Sequence, residues 1–122
     1  MVRVGLRAGL LALAGVVGAT AMMAAAASAH GPLASELASM ASHIQLFHAL
    51  AIGLVALAPL PRWGHWSAAM LFALGVLGFC GGLYSLAWLG TSLGPIVPLG
   101  GSALILGWLA LGIAGLKSRF SD

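Results

Sequence analysis

Charge is what this sequence has least of. Of 122 residues two are acidic and five basic, while 61% are hydrophobic. A soluble domain carries about 25% charged residues; here the share is 6%, too little to keep a folded surface in water. The two acids, Glu36 and Asp122, stand far apart in the chain, which removes the paired carboxylates of most acid–base and hydrolytic chemistry. A single cysteine, Cys80, excludes an intrachain disulfide and a thiolate metal cluster. Histidine occurs four times but never as His-x-x-x-His or Glu-x-x-His, and His43 and His48 are separated by about 140° around a helix. No metal site, no cofactor and no enzymatic activity are expected. The net charge of +3 comes with no basic stripe to follow a phosphate backbone, so nucleic acid is not an expected partner.

What the sequence does have is long uncharged runs. They cover residues 8–29, 44–60, 66–89 and 96–116. As helices rising about 1.5 Å per residue they reach roughly 26 to 36 Å, against a hydrocarbon core of about 30 Å. The runs do not alternate and are too long for barrel strands. The expected fold is therefore all-α: a four-helix transmembrane bundle in a single membrane domain, 1–122, with short loops. Arg3, Arg7, Arg62, Lys117 and Arg119 all fall on one side after four crossings. The positive-inside rule makes that side cytoplasmic, with both termini on it. Trp63, Trp66 and Trp88 fall at span ends, where indoles favour the headgroup region. Ala27-Ser28-Ala29 resembles a signal-peptide cleavage site, but the preceding run is longer than the usual 7 to 15 apolar residues, so the first span is expected to be retained. Between spans one and two, Leu33, Leu37, Met40 and Ile44 share a helix face, and Pro32 suits a first turn. A short interfacial helix is expected there, with a direct run into span two left open.

Lipid tails are as apolar as leucine, so small residues that let backbones approach must hold the spans together. Gly75, Gly78 and Gly82 in span three, and Gly107, Ala110, Ala114 and Gly115 in span four, offer that surface. Ala14 and Gly18 do so in span one, where Gly5, Gly9 and Gly15 recur at similar intervals. Cys80 reads as a small apolar filler. Trp108, in mid-span, reads as core with its indole N–H seeking an acceptor within the bundle.

Polar side chains collect toward the outer leaflet: Ser28 and His30 closing span one, Gln45 and His48 in span two, Tyr84 and Ser85 in span three, Ser102 in span four. One explanation is mutual pairing, for instance His48 with Tyr84 or Gln45 with Ser85. The other is a small polar pocket for a lipid headgroup, a quinone ring or a partner side chain, since an ionisable residue within a membrane is by default a functional candidate.

Four stretches carry a family resemblance. Ala29-His30-Gly31, Ile44-Gln45-Leu46-Phe47-His48-Ala49-Leu50-Ala51, Phe79-Cys80-Gly81-Gly82-Leu83-Tyr84, and Pro98-Leu99-Gly100-Gly101 followed by Gly107-Trp108 resemble, in order, segments of the YgdD-like small inner-membrane proteins. That group has no assigned function and has transmembrane-protein relatives in animals. Ile44 stands where the family carries tyrosine and Val97 where threonine is common. The resemblance implies a four-helix multi-pass protein of the bacterial inner membrane with its first helix kept. It marks His30, Gln45, His48, Tyr84, Pro98, Gly100, Gly101 and Trp108, and it brings no activity. Two functions are expected from the residues together: an accessory subunit packed against a larger membrane complex, or a stand-alone binder of a lipid or quinone-like amphiphile at the outer polar cluster. A pore or transporter is disfavoured by the scarcity of polar lining.

Overall fold

The computed structural model describes residues 4–120; Arg3, Asp122 and the side chain of Arg119, all used in the charge argument, lie outside what is described. Every element is helical. Four helices are long and apolar enough to cross a membrane, making this a multi-pass membrane protein: α1 (Val4–Ala29), α2 (Glu36–Leu57), α3 (Arg62–Leu89) and α4 (Ile96–Phe120).

Local chemistry sets the ends. A single tight turn, Gly31–Leu33, follows α1; it holds Pro32, and Gly31 takes a φ of 77° that a side chain would disfavour. Ser35 then caps α2, its Oγ accepting from the Ala38 N–H at 3.1 Å. The amphipathic stretch after span one is thus the first turns of α2 itself and not a separate helix. Its polar residues satisfy themselves on their own helix: Ser42 Oγ donates to the Ser39 carbonyl at 2.7 Å, and His43 Nδ1 bonds the same carbonyl at 2.7 Å. At the turn into α3, Pro61 is the cap residue and the buried His65 bonds the Ala58 carbonyl through Nε2 at 2.9 Å. Gly90, at φ 68°, ends α3 in the left-handed conformation.

Successive helices run antiparallel, and the close packing is sequential: α1 lies along α2, α2 meets α3, and α3 lies along α4. Small residues mark each tight pair. A Cβ on Gly18 would meet Ala49 at 3.6 Å, and one on Gly53 would meet Ala14 at 3.9 Å. Between α3 and α4 the approach is closer. Gly78 and Gly100 face each other backbone to backbone; a Cβ on Gly100 would run into the Phe79 amide and the Gly78 carbonyl carbon. Gly82 lies against Val97, Gly75 against Leu104, Gly107 against the Phe72 ring, and Gly64 against Ala114. Ala114 is fully buried and Ala110 packs at the core's edge.

Helix α3 is not uniformly α-helical. Two wide π-helical turns, Val76–Cys80 and Ser85–Leu89, flank the segment Gly81–Tyr84. Each shifts the side-chain register that follows it. The first sits at the Gly78–Gly100 crossing, and at its end Cys80 is turned onto α2, where its Sγ lies 3.4 Å from the Ala41 carbonyl. The core is the seam between α2 and α3, centred on Ile52, Val55, Ala68 and Phe72, none of them exposed.

One face of α1 is covered by nothing in this chain. Gly5, Ala8, Ala12, Gly15, Ala19, Met22 and Ala26 follow a 3–4 spacing along the helix, and all are exposed. Of the four glycines that stood at packing intervals in span one, Gly18 meets α2, while Gly5, Gly9 and Gly15 have no neighbour within 4 Å of a built Cβ.

Candidate functional site

The polar side chains of the spans form two hydrogen-bonded groups. In the first, Tyr84 on α3 donates its hydroxyl to Gln45 Oε1 at 2.7 Å. Gln45 Nε2 donates to Thr20 Oγ1 at 2.8 Å and to the Val17 carbonyl at 3.0 Å, both on α1. Thr20 in turn donates to the Val16 carbonyl at 2.8 Å. Gln45 is buried, and both of its amide hydrogens and its carbonyl are engaged. One side chain thereby ties three helices, which fixes their rotation about their axes.

In the second group His48 carries the link. Its Nδ1 lies 2.6 Å from the Ile44 carbonyl and its Nε2 lies 3.0 Å from Trp108 Nε1. An indole N–H can only donate, so Nε2 accepts and the imidazole proton sits on Nδ1, directed at Ile44. Phe72 completes a cluster of three rings. His48 and Trp108 have centroids 5.8 Å apart at 66°, Phe72 and Trp108 5.2 Å apart at 68°, and His48 and Phe72 5.6 Å apart at 59°. The cluster joins α2, α3 and α4. Trp108 is not core, since it is 45% exposed.

The depth of these groups differs from the sequence expectation. Because α2 begins at Glu36, His48 lies about 18 Å along it, and Trp108 lies about as far along α4. The His48–Trp108 pair therefore sits near mid-bundle. The expected pairings also exchange partners: Gln45 takes Tyr84 and His48 takes Trp108. Ser85 bonds the Thr91 carbonyl at 2.9 Å and Ser102 the Pro98 carbonyl at 2.9 Å, each locally and away from Gln45. Ser28 bonds back to Ala25, and His30 is exposed beyond the end of α1. Pro98 is exposed in the first turn of α4, while Gly100 and Gly101 pack on the Gly78–Phe79 segment, with a Cβ on Gly101 3.2 Å from the Phe79 ring. No group of three His, Cys, Asp or Glu residues gathers among the described residues.

Sequence reasoning did not single out Thr20, Phe72 or His65, and it placed Leu33 on a helix face rather than as a carbonyl acceptor. The Trp88 indole donates to the Leu33 carbonyl at 2.9 Å and stacks on Tyr84 at 5.0 Å, so it pins the loop after α1 to the end of α3. His65, 1% exposed, is a second buried histidine besides His48. Only Thr20 offered a readable signal, as the one hydroxyl within the apolar run of span one before its end.

Two concavities open on the outer side of α2. One, of about 480 Å³, lies between α1 and α2 and is floored by Gly18, Ala49 and Gly53, with Gly15 at its open edge. The other, of about 620 Å³, lies between α2 and α4, with Phe47, Leu50 and Leu54 on one wall and the His48–Trp108 pair at its inner end.

Set against known proteins, residues 14–101 match the model of a family described as "Protein of unknown function (DUF423)". The match spans most of α1 through the start of α4 and includes Gln45, His48, Tyr84, Gly100 and Gly101. No solved structure matches the chain.

Proposed function

The chain belongs to the DUF423 family of proteins of unknown function, and we propose that it serves as a structural accessory subunit, packing against a larger membrane assembly through the uncovered face of α1. The observation that carries this reading is the line Gly5, Ala8, Ala12, Gly15, Ala19, Met22 and Ala26, small but for one residue, exposed along the full helix. Helices in lipid associate where small side chains admit a neighbouring backbone. The same device holds α1 to α2 and α3 to α4 on their covered faces, and on α1 it is repeated toward the outside.

The second support is the state of the polar groups. Gln45, Tyr84, Thr20, His48 and Trp108 are paired with one another across helices. Their pairing fixes the register of the helices, which supports a structural role. The same pairing takes support from the reading of an outer-leaflet polar pocket for a lipid or quinone headgroup. The resemblance to YgdD-like proteins, together with Arg7, Arg62 and Lys117 at one end, supports a bacterial inner membrane with both termini cytoplasmic.

Native mass spectrometry after gentle extraction through a C-terminal tag tests the proposal. A larger protein retained in fixed stoichiometry is the expected result. A lone chain, bare or carrying only lipid, contradicts it.

A further inference from the structure

The groove between α2 and α4 continues past the cavity at His48. A second concavity of about 430 Å³, lined by Leu54, Ala58, Pro59, Leu111, Gly115 and Ser118, adjoins it and shares Leu54. On α4 the walls are one line, Trp108, Leu111, Gly115 and Ser118, at helical intervals of three and four. On α2 they are Phe47, Ala51, Leu54 and Ala58 at the same intervals. The two lines run about 15 to 17 Å, half the thickness of a hydrocarbon core of about 30 Å. The groove therefore traverses one leaflet, from mid-bundle to the end of the molecule where α2 turns into α3.

That end is basic. Leu60 and Ser118 line the lower concavity; Arg62 stands two residues past the first and Lys117 one before the second, and both basic residues are exposed. Among the described residues the one carboxylate, Glu36, lies at the opposite end. Two of the carbonyls at the mouth, which would repel an anion, are already engaged. Ala58 O accepts from His65 Nε2 and from the Leu60 N–H, each at 2.9 Å, and Pro59 O accepts from Ser118 Oγ. Higher up, the polar atoms of His48 and Trp108 are spent on each other, so the walls offer only apolar surface and ring faces.

We propose that this groove binds one anionic phospholipid, its phosphate between Arg62 and Lys117 and one acyl chain laid along the α2–α4 seam up to Trp108. Charge complementarity selects the headgroup, since basic residues at a membrane surface attract anionic lipid. The match between groove length and leaflet depth selects a chain-bearing lipid over a free phosphate. The site shares no residue with the open face of α1, so its failure would leave the accessory-subunit reading untouched, and the reverse also holds.

The test uses a chain in which Trp63, Trp66 and Trp88 are replaced by phenylalanine, leaving Trp108 as the sole indole. It is reconstituted in vesicles containing either mid-chain brominated phosphatidylglycerol or the equivalent brominated phosphatidylcholine. Trp108 fluorescence is expected to be quenched preferentially by the anionic lipid. Arg62→Gln and Lys117→Gln should each weaken that preference about fivefold, while Arg7→Gln, on α1 away from the groove, leaves it intact. Gly115→Leu fills the groove, and because a Cβ there meets nothing within 4 Å the fold should tolerate it; it should abolish the preference. Equal quenching by both lipids overturns the proposal, as does a preference that survives Arg62→Gln with Lys117→Gln or falls equally with Arg7→Gln. Should the tryptophan-reduced chain fail to fold, native mass spectrometry of the unaltered chain and of Gly115→Leu, from vesicles of phosphatidylglycerol and phosphatidylcholine in equal amounts, decides it. Retained phosphatidylglycerol on the former alone supports the site, and any other pattern refutes it.

Discussion

The inner pair of helices and the outer pair are made of similar residues but used differently. Half of the most apolar window of α2 is buried and 39% of that of α3, against 22% for α1 and 17% for α4. All four are rich in glycine and alanine. What separates them is where the small residues point. On α3, Gly64, Gly75, Gly78 and Gly82 face α4, and backbone meets backbone at Gly78 and Gly100. On α1 some face α2, while Gly5, Gly9 and Gly15 face outward. On α4, Gly112 and Gly115 likewise meet nothing. A small residue is thus an invitation to a neighbour, and the fold shows which invitations this chain itself has answered.

Substitution at the α3–α4 crossing should show the largest effect. Gly100→Leu places a side chain into the Gly78–Phe79 backbone, and the helices must part or the fold must fail. Overpacking of this kind costs about 3 kcal/mol or more where the obstacle is backbone. Loss of the folded species in detergent unfolding should report it, and a chain of near-native stability would break the distinction between filled and unfilled faces.

A smaller cost is expected at the junction of the inner pair with α1. Gln45→Leu strands the Tyr84 hydroxyl and removes the tie to Thr20, at about 1 to 2 kcal/mol. Adding Tyr84→Phe should recover part of that loss, because both partners are then apolar. Strict additivity in the double-mutant cycle would show that the two side chains do not interact.

His48→Phe sharpens the comparison on the α4 side. It removes the acceptor of the Trp108 N–H while conserving ring volume, for about 1 kcal/mol. With Trp108 as the only indole, its emission should shift to shorter wavelength. No shift would mean that α4 is held to α2 by ring packing alone.

The architecture was readable from the sequence because it follows from lengths and charges. Uncharged runs set the spans, and Gly78, Gly82, Ala110 and Ala114 marked a tight interface where one exists. The site was less readable, for two physical reasons. The second span is counted from Ile44, the residue after His43, and the helical stretch before it reads as interfacial. In the structure Ser42 and His43 bond to their own helix, so α2 begins two turns earlier and His48 moves to mid-depth. The partner of Gln45 then depends on the rotation of α3 at Tyr84, which the wide turn at Val76–Cys80 resets. No local pattern of apolar residues announces that turn. Trp108 is 45% exposed because it lines the open groove between α2 and α4.

The most direct test of the outward face is Gly15→Leu, assayed by native electrophoresis of the gently extracted protein beside a thermal unfolding curve. A Cβ at Gly15 touches nothing in this chain, so stability should stay within about 0.5 kcal/mol of the parent. The parent should migrate in a larger assembly and the variant as a folded single chain. A variant that stays in the assembly, or a parent that never enters one, would contradict the claim that α1 carries the seam by which this protein joins a larger complex.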